Sequence, residues 1–198
     1  EEDRWFVDAC RRHDLWPVFI HAPYLLNPAT DDPALWERSR DVLQTEIETA
    51  NRWEAEGVIF HPGSAGEQDV DEAIKRVARA ITQVREATEG PARIVLENSA
   101  GQGNIVGSTM EELGRMIELA GRDRLSVCLD TAHAFAAGYS VHQRAGLDAM
   151  LRKADEAFGL QMLSVIHLNG SRSKLGSNVD RHEHIGLGEI GREGMKVI

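Results

Sequence analysis

Cysteine is scarce in this chain, with Cys10 and Cys128 alone among 198 residues. Two cysteines do not build a disulfide framework, and a reducing, cytoplasmic setting is the expectation. Apolar runs are short. None approaches the roughly 20 residues that span a bilayer, and no secretory signal is visible, so no membrane partner is expected. No strand is followed by a glycine-rich phosphate fingerprint of the dinucleotide or P-loop kind. No nucleophile motif accompanies a Ser–His–Asp set, and no HExxH helix is present, which turns the reading away from covalent catalysis and metalloprotease chemistry. Positive charge is also in deficit. Lys and Arg number 22 against 32 Asp and Glu, a net charge of −10. Taken alone that argues against nucleic acid, but carboxylates bound to metal cations no longer act as free negative charge.

What is present is a repeating order of short apolar run, loop and amphipathic helix. The apolar runs are Val18–Ile20, Val58–Phe60, Ile94–Leu96, Val127–Leu129 and Leu163–Ile166. Helices are expected over 3–14, from Asp32-Pro33 down to Gly57, over 71–88, from a capping box at Ser108–Glu111 through Ala120, and over 144–158. A last helix is entered near Arg192. Continuous apolar strands separated by helices imply a parallel sheet with both faces covered. Five such units without a topological switch favour a TIM (β/α)8 barrel over an open sheet, read here as a single partial domain over residues 1–198. The chain opens on Glu-Glu-Asp and closes on Met195–Ile198, and is read as a fragment of such a barrel.

Each apolar run ends on a metal-ligand type: His21, His61, Glu97, Asp130 and His167. His133, Asp180 and His182 add three from adjacent loops. A lone histidine after a strand is usually a hydrogen-bonded surface or core residue, and a lone Asp at a strand tip is often only a helix cap. Five strand ends of ligand type call for another account. Nitrogen with carboxylate oxygen suits zinc or manganese, and so many donors exceed the needs of one ion. A site of two or three ions is expected, with a carboxylate such as Glu97 bridging a pair. Such a site activates water, so no side-chain base is required. His13, His142 and His184 lack this placement and are read as surface or supporting residues. Glu183 and Glu189 are read as solvated. Asn98 and Asn169 are read as orienting ligands or capping loops.

The blocks HAPYLLN at 21–27, FHPGS at 60–64, LENSAGQG at 96–103, CLDTAHAFAAGY at 128–139 and HLNGSRSKLGSNVDRHEHIGLGEIG at 167–191 carry a resemblance through almost the whole chain. Their order and spacing resemble the endonuclease IV family, zinc-dependent apurinic/apyrimidinic endonucleases of base-excision DNA repair. The resemblance implies a TIM barrel with three zinc ions, for which Mn2+ is a possible substitute. It implies one zinc on His21, His61 and Glu97. A second would be bridged by Glu97 and shared with Asp130 and His167, and a third held by His133, Asp180 and His182. Glu97 and Asp130 would act in catalysis through metal-activated water. A further glutamate ligand and the strand that bears it have no counterpart here, nor do the first two strands of the family barrel. The implied reaction is hydrolysis of the phosphodiester 5′ to an abasic site in double-stranded DNA, by a monomer. Tyr24 and Leu25 match the inserting loop, and Arg172, Lys174 and Arg181 are expected at phosphates. Two other readings stand beside it: a one-metal sugar isomerase or epimerase of the related barrels, and a metal-binding fragment without activity.

Overall fold

The computed structural model describes residues 2–198. Five strands pair in parallel in chain order as a half-barrel: β1 (Phe19–His21), β2 (Gly57–Phe60), β3 (Arg93–Glu97), β4 (Leu125–Asp130) and β5 (Leu163–His167). Helix α1 (Glu2–Arg12) precedes them. Helices α2 (Pro33–Arg52), α3 (Val70–Ala87), α4 (Met110–Ala120) and α6 (Arg144–Ala157) cross between successive strands. Two features depart from the simple alternation. A short helix, α5 (Thr131–Ala136), follows β4 directly, and the segment after β5 forms an antiparallel ribbon of β6 (Gly170–Ser171) and β7 (His182–Glu183). The helix expected near Arg192 is a single short element, α7 (Gly191–Met195).

The central strands β2, β3 and β4 are buried on both faces because each has two cores to fill, while β1 and β5 are only partly covered. On the outer side Phe60, Ile94, Leu96 and Val127 pack against Leu43, Ile47, Ile81, Val84, Leu113 and Ile117 of the helices. On the inner side Ile59, Val95 and Cys128 form a separate thin layer, with Phe19 and Val165 against it. Side chains alternate across a strand with period two. The residue two positions beyond each inner-layer residue is therefore aimed at the same side, one step nearer the strand's C-terminal end. Those residues are His21, His61, Glu97, Asp130 and His167. The inner layer and the candidate ligands are one alternation continued.

Local chemistry sets the helix starts. Asp32 caps α2, its side chain accepting from Ala34 and Leu35 N–H, with Pro33 in the first turn. Asp69 caps α3 through Glu72 N–H. The capping box of α4 lies one residue later than the Ser108–Glu111 spacing suggests. Thr109 is the cap and Glu112 reciprocates, its Oε2 also accepting from Gly107 and Ser108 N–H. Glu112 wins because it satisfies several otherwise orphan donors from one carboxylate. No helix among the described residues is long and apolar enough to cross a membrane.

Helices α4 and α6 meet at Gly114, where a Cβ would stand 2.6 Å from the Ala157 carbonyl oxygen. Alanine in a helix interior is ordinarily about 1 kcal/mol better than glycine. Overpacking against backbone costs about 1–3 kcal/mol, so the clash outweighs the gain. Gly114→Ala is expected to lower stability by about 1 kcal/mol, read as a lower urea midpoint at unchanged slope.

Candidate metal centre

Glu97 stands at the middle of the site with its side chain 1% exposed. Its two oxygens face different groups. Oε2 lies 2.9 Å from His21 Nε2 and 3.6 Å from His61 Nε2. Oε1 lies 2.9 Å from His167 Nδ1 and 3.6 Å from His133 Nδ1. A carboxylate that divides its oxygens between two donor sets has the form of a bridge. Burial works against the charge on Glu97, but hydrogen bonds from His167 and His21 and the charge of His61 hold the carboxyl well below its usual range. The Glu97 hydrogen bond raises the pKa of His21 against burial, whereas His61, too far for that bond, is lowered by burial.

A second set gathers at the ribbon. His133 Nε2, His182 Nε2 and Asp180 are mutual neighbours. The two nitrogens are 3.1 Å apart, and the carboxylate oxygens lie 3.3 Å from His133 and 3.2 Å from His182. Tetrahedral zinc with bonds of about 2.0–2.2 Å holds adjacent donors about 3.3–3.6 Å apart. The donor set thus fits a small divalent cation with little movement. Hydrogen bonds from His133 and His182 hold Asp180 far below the usual carboxylate range. Burial opposes a proton on His133, but Asp180 with the nearby charges of Asp130 and Glu97 raises its pKa to about 9.

Asp130 joins the two sets. Its Oδ1 caps α5, accepting from Ala132 N–H at 2.7 Å and His133 N–H at 2.9 Å. Its Oδ2 lies 3.8 Å from both His167 Nδ1 and His182 Nε2. The resemblance puts Asp130 with Glu97 and His167, but Oδ2 is equidistant between that set and the ribbon. Asn98 and Asn169 hold this carboxylate in place. The Asn98 amide exchanges bonds with the Asp130 backbone, accepting from N–H at 2.6 Å and donating to C=O at 3.2 Å. Asn169 Nδ2 donates to Asp130 Oδ2 at 2.6 Å.

Ring tautomers follow from the same network. His133 Nδ1 faces the Asn98 carbonyl at 2.9 Å, and His21 Nδ1 faces the Ala22 carbonyl at 3.0 Å. A carbonyl only accepts, so each Nδ1 carries hydrogen; each Nε2 faces the site, where it donates to Glu97 or Asp180 in the metal-free state and would offer its lone pair to a bound cation. Cys128 also lies within reach of Glu97 and His167. Burial, with the charges of Glu97 and Asp130, keeps its thiol protonated, and the thiolate is the ligand form.

The family model described as a xylose isomerase-like TIM barrel matches residues 1–196. A curated relative from Halothermothrix orenii, named probable endonuclease 4, is 39% identical over 192 residues, covering 96% of this chain and 69% of its own. The crystal structure of endonuclease IV from Thermus thermophilus superposes with a TM-score of 0.83 at 35% identity, covering 98% of this chain and 68% of that one. This chain belongs to the endonuclease IV family. It spans about two thirds of the length of these relatives. A D-tagatose 3-epimerase-like protein also superposes, with a TM-score of 0.74 at 19% identity, which shows the shared fold alone.

All eight expected ligands converge, and the five imidazoles adjoin. His21–His61, His61–His133, His133–His182 and His21–His167 have ring centroids 5.4, 5.3, 5.1 and 5.8 Å apart. Tyr24 and Leu25 are 77% and 86% exposed beside that patch. The expected phosphate contacts are less free. Arg172 pairs with Glu183 at 2.9 Å, so Glu183 is not the solvated residue its sequence position suggests. Arg181 donates to its neighbour's carbonyl, Asp180 O, at 2.7 Å, and Lys174 is exposed. His13 and His184 are exposed as expected, while His142 packs edge-on against Phe135.

Thr131 carried no signal in the sequence, yet it ties α5 to the loop after β5. Its hydroxyl lies 2.7 Å from Asn169 O and accepts from Asn169 N–H at 2.9 Å. Thr131→Val is expected to weaken metal binding about 10–100-fold, the usual cost of losing an orienting partner, with Thr131→Ser near wild type. Equilibrium dialysis measures it.

The His133 proton stabilises the metal-free fold fully below about pH 6.5 and is lost as pH rises through about 9. A cation at Nε2 must displace that proton. Zinc titration at pH 7 should therefore release protons, and apparent affinity should rise with pH until about 9, as calorimetry in buffers of differing ionisation enthalpy would show.

Proposed function

We propose that this protein is a DNA repair endonuclease that hydrolyses the phosphodiester bond 5′ to abasic sites in double-stranded DNA. The observation that carries the reading is the division of Glu97 between two imidazole sets, with a third donor set on the ribbon beside them. We take the site to hold zinc, three ions when complete, with Mn2+ as a substitute, because its donors are imidazole nitrogen and carboxylate oxygen. Bound there, such ions lower the pKa of water to about 7 and neutralise charge on attacking and leaving oxygens.

The side chains supply the rest. Glu97 and Asp180 are carboxylates held in their charged form, and Asp130 is fixed by the hydrogen bond from Asn169. Glu97 and Asp130 would serve the reaction by holding the ions that activate water rather than as proton carriers. His21, His61, His133, His167 and His182 complete the set. Tyr24 and Leu25 enter the base stack where a base is missing, since unstacking costs a few kcal/mol and least at a damaged step. Lys174, Arg181 and Arg172 meet phosphates, and for Arg172 that contact competes with Glu183. Residues 1–198 act as one partial barrel domain. A monomer in the cytoplasm suits its two free cysteines.

A one-metal isomerase has no use for His133, Asp180 and His182 as a third donor set, so the epimerase likeness adds no support beyond the fold. The zinc-loaded protein is expected to nick a duplex carrying one tetrahydrofuran residue on its 5′ side. Chelation should abolish the cut and zinc restore it. Glu97→Gln should cut more than about 100-fold more slowly, beyond the cost of losing a merely orienting partner. Nicking that survives complete metal removal would sink the reading.

A further inference from the structure

The loops after β1, β2 and β3 form one continuous rim, and its joint is Asn27. The Asn27 amide is used from both ends. Nδ2 donates to Ser64 O at 3.1 Å, and Oδ1 accepts from Ser64 N–H at 2.9 Å. The Asn27 backbone N–H donates to Ser39 Oγ at 3.0 Å, and that buried hydroxyl donates on to Leu35 O at 2.7 Å. Asn27 is thus anchored to α2 on one side and grips the loop after β2 on the other. Beyond it Ser64 bridges Ile105, Ala65 N–H donates to Asn104 O at 2.8 Å, and Val106 N–H donates to Gly63 O at 2.9 Å.

The joint lies between two functional pieces. Tyr24 and Leu25 are just before Asn27 in the chain, and His61 is just before Gly63 and Ser64. These residues together line a cavity of about 290 Å³ beside the metal centre. Tyr24 and Leu25 are too exposed for packing to hold them, and the Tyr24 ring meets His61 only edge-on at 6.2 Å. Gly63 completes the joint. Its φ is +95°, and a Cβ there would stand 2.2 Å from Asn27 Oδ1 and 3.0 Å from Asn27 Cα. Only glycine lets the amide lie against the loop.

We propose that Asn27 is a positioning residue for duplex binding, which registers the Tyr24–Leu25 ledge against the metal donors, with Gly63 as its required partner. The proposal rests on the reading that this ledge enters an abasic duplex. Without the joint the ledge is ordered only on binding, so the loss falls on affinity and not on the chemical step.

The test compares wild type, Asn27→Ala, Gly63→Ala and the double variant, each zinc-loaded. The readouts are zinc content, thermal midpoint, anisotropy of a labelled abasic duplex and of its intact counterpart, and the split of KM and kcat. Asn27→Ala and Gly63→Ala should each raise KM and weaken abasic-duplex binding about tenfold, with kcat within about threefold and zinc content unchanged. The double variant should be no worse than either single one, because both remove the same joint. Single variants that bind the abasic duplex like a wild type that prefers it would overturn this proposal alone. Loss of zinc and kcat at unchanged KM would also overturn it, since Asn27 would then serve the metal loop. A wild type that binds abasic and intact duplex equally would overturn the functional reading and this proposal together.

Discussion

The buried carboxylate of Glu97 is the constraint on which the site depends. An ionised carboxylate out of water costs several kcal/mol unless it is paired and hydrogen-bonded. Glu97 meets that cost with four imidazoles, two on each oxygen. Each of those rings comes from a different strand end or from α5, so the charge balance exists only when β1 through β5 are in register. The register in turn is set by the apolar layer beneath. Val95 pairs with Ile59, and Glu97 with Cys128, while Asp130 stands opposite His167. A slip by one residue would turn the ligands to the outer face and the aliphatic layer into the site.

Around that centre the polar residues work as a nested scaffold. Asp130 both caps α5 and faces the candidate metal centre, so the helix that carries His133 is oriented by a neighbouring member of the same donor cluster. Asn98 extends the β3–β4 ladder by one side chain and fixes the His133 tautomer with its own carbonyl. Thr131 and Asn169 bring the loop after β5 back onto Asp130. The ribbon β6–β7 then carries Asp180 and His182 over His133. Glu183 of β7 pairs with Arg172, the residue just after β6. Net charge says little about the face that results, because Glu97, Asp130 and Asp180 are each held by hydrogen bonds from their neighbours.

Legibility in the sequence followed the range of the interaction. The five strand ends could be read because period-two alternation and the apolar run are local, and the helix starts at Asp32 and Thr109 obey local capping chemistry. Even there the capping box of α4 was displaced by one residue, since Glu112 gathers the N–H groups of Gly107 and Ser108 as well. The ribbon has the sequence of a loop, because strands of two residues carry no periodicity to detect. Glu183 looks solvated from its sequence position because nothing local reveals its pairing with Arg172.

By itself the sequence determined the alternation of strand and helix, the ligand type at each strand end, and the blocks that carry the family. All of these are properties of neighbours along the chain. Tertiary structure alone decided which oxygen of Glu97 faces which histidine, how Asp130 is divided between helix cap and candidate metal centre, and that Asn27 joins one loop to the next. Those are distances between residues tens of positions apart, and only the closing of a twisted parallel sheet brings them within hydrogen-bond range.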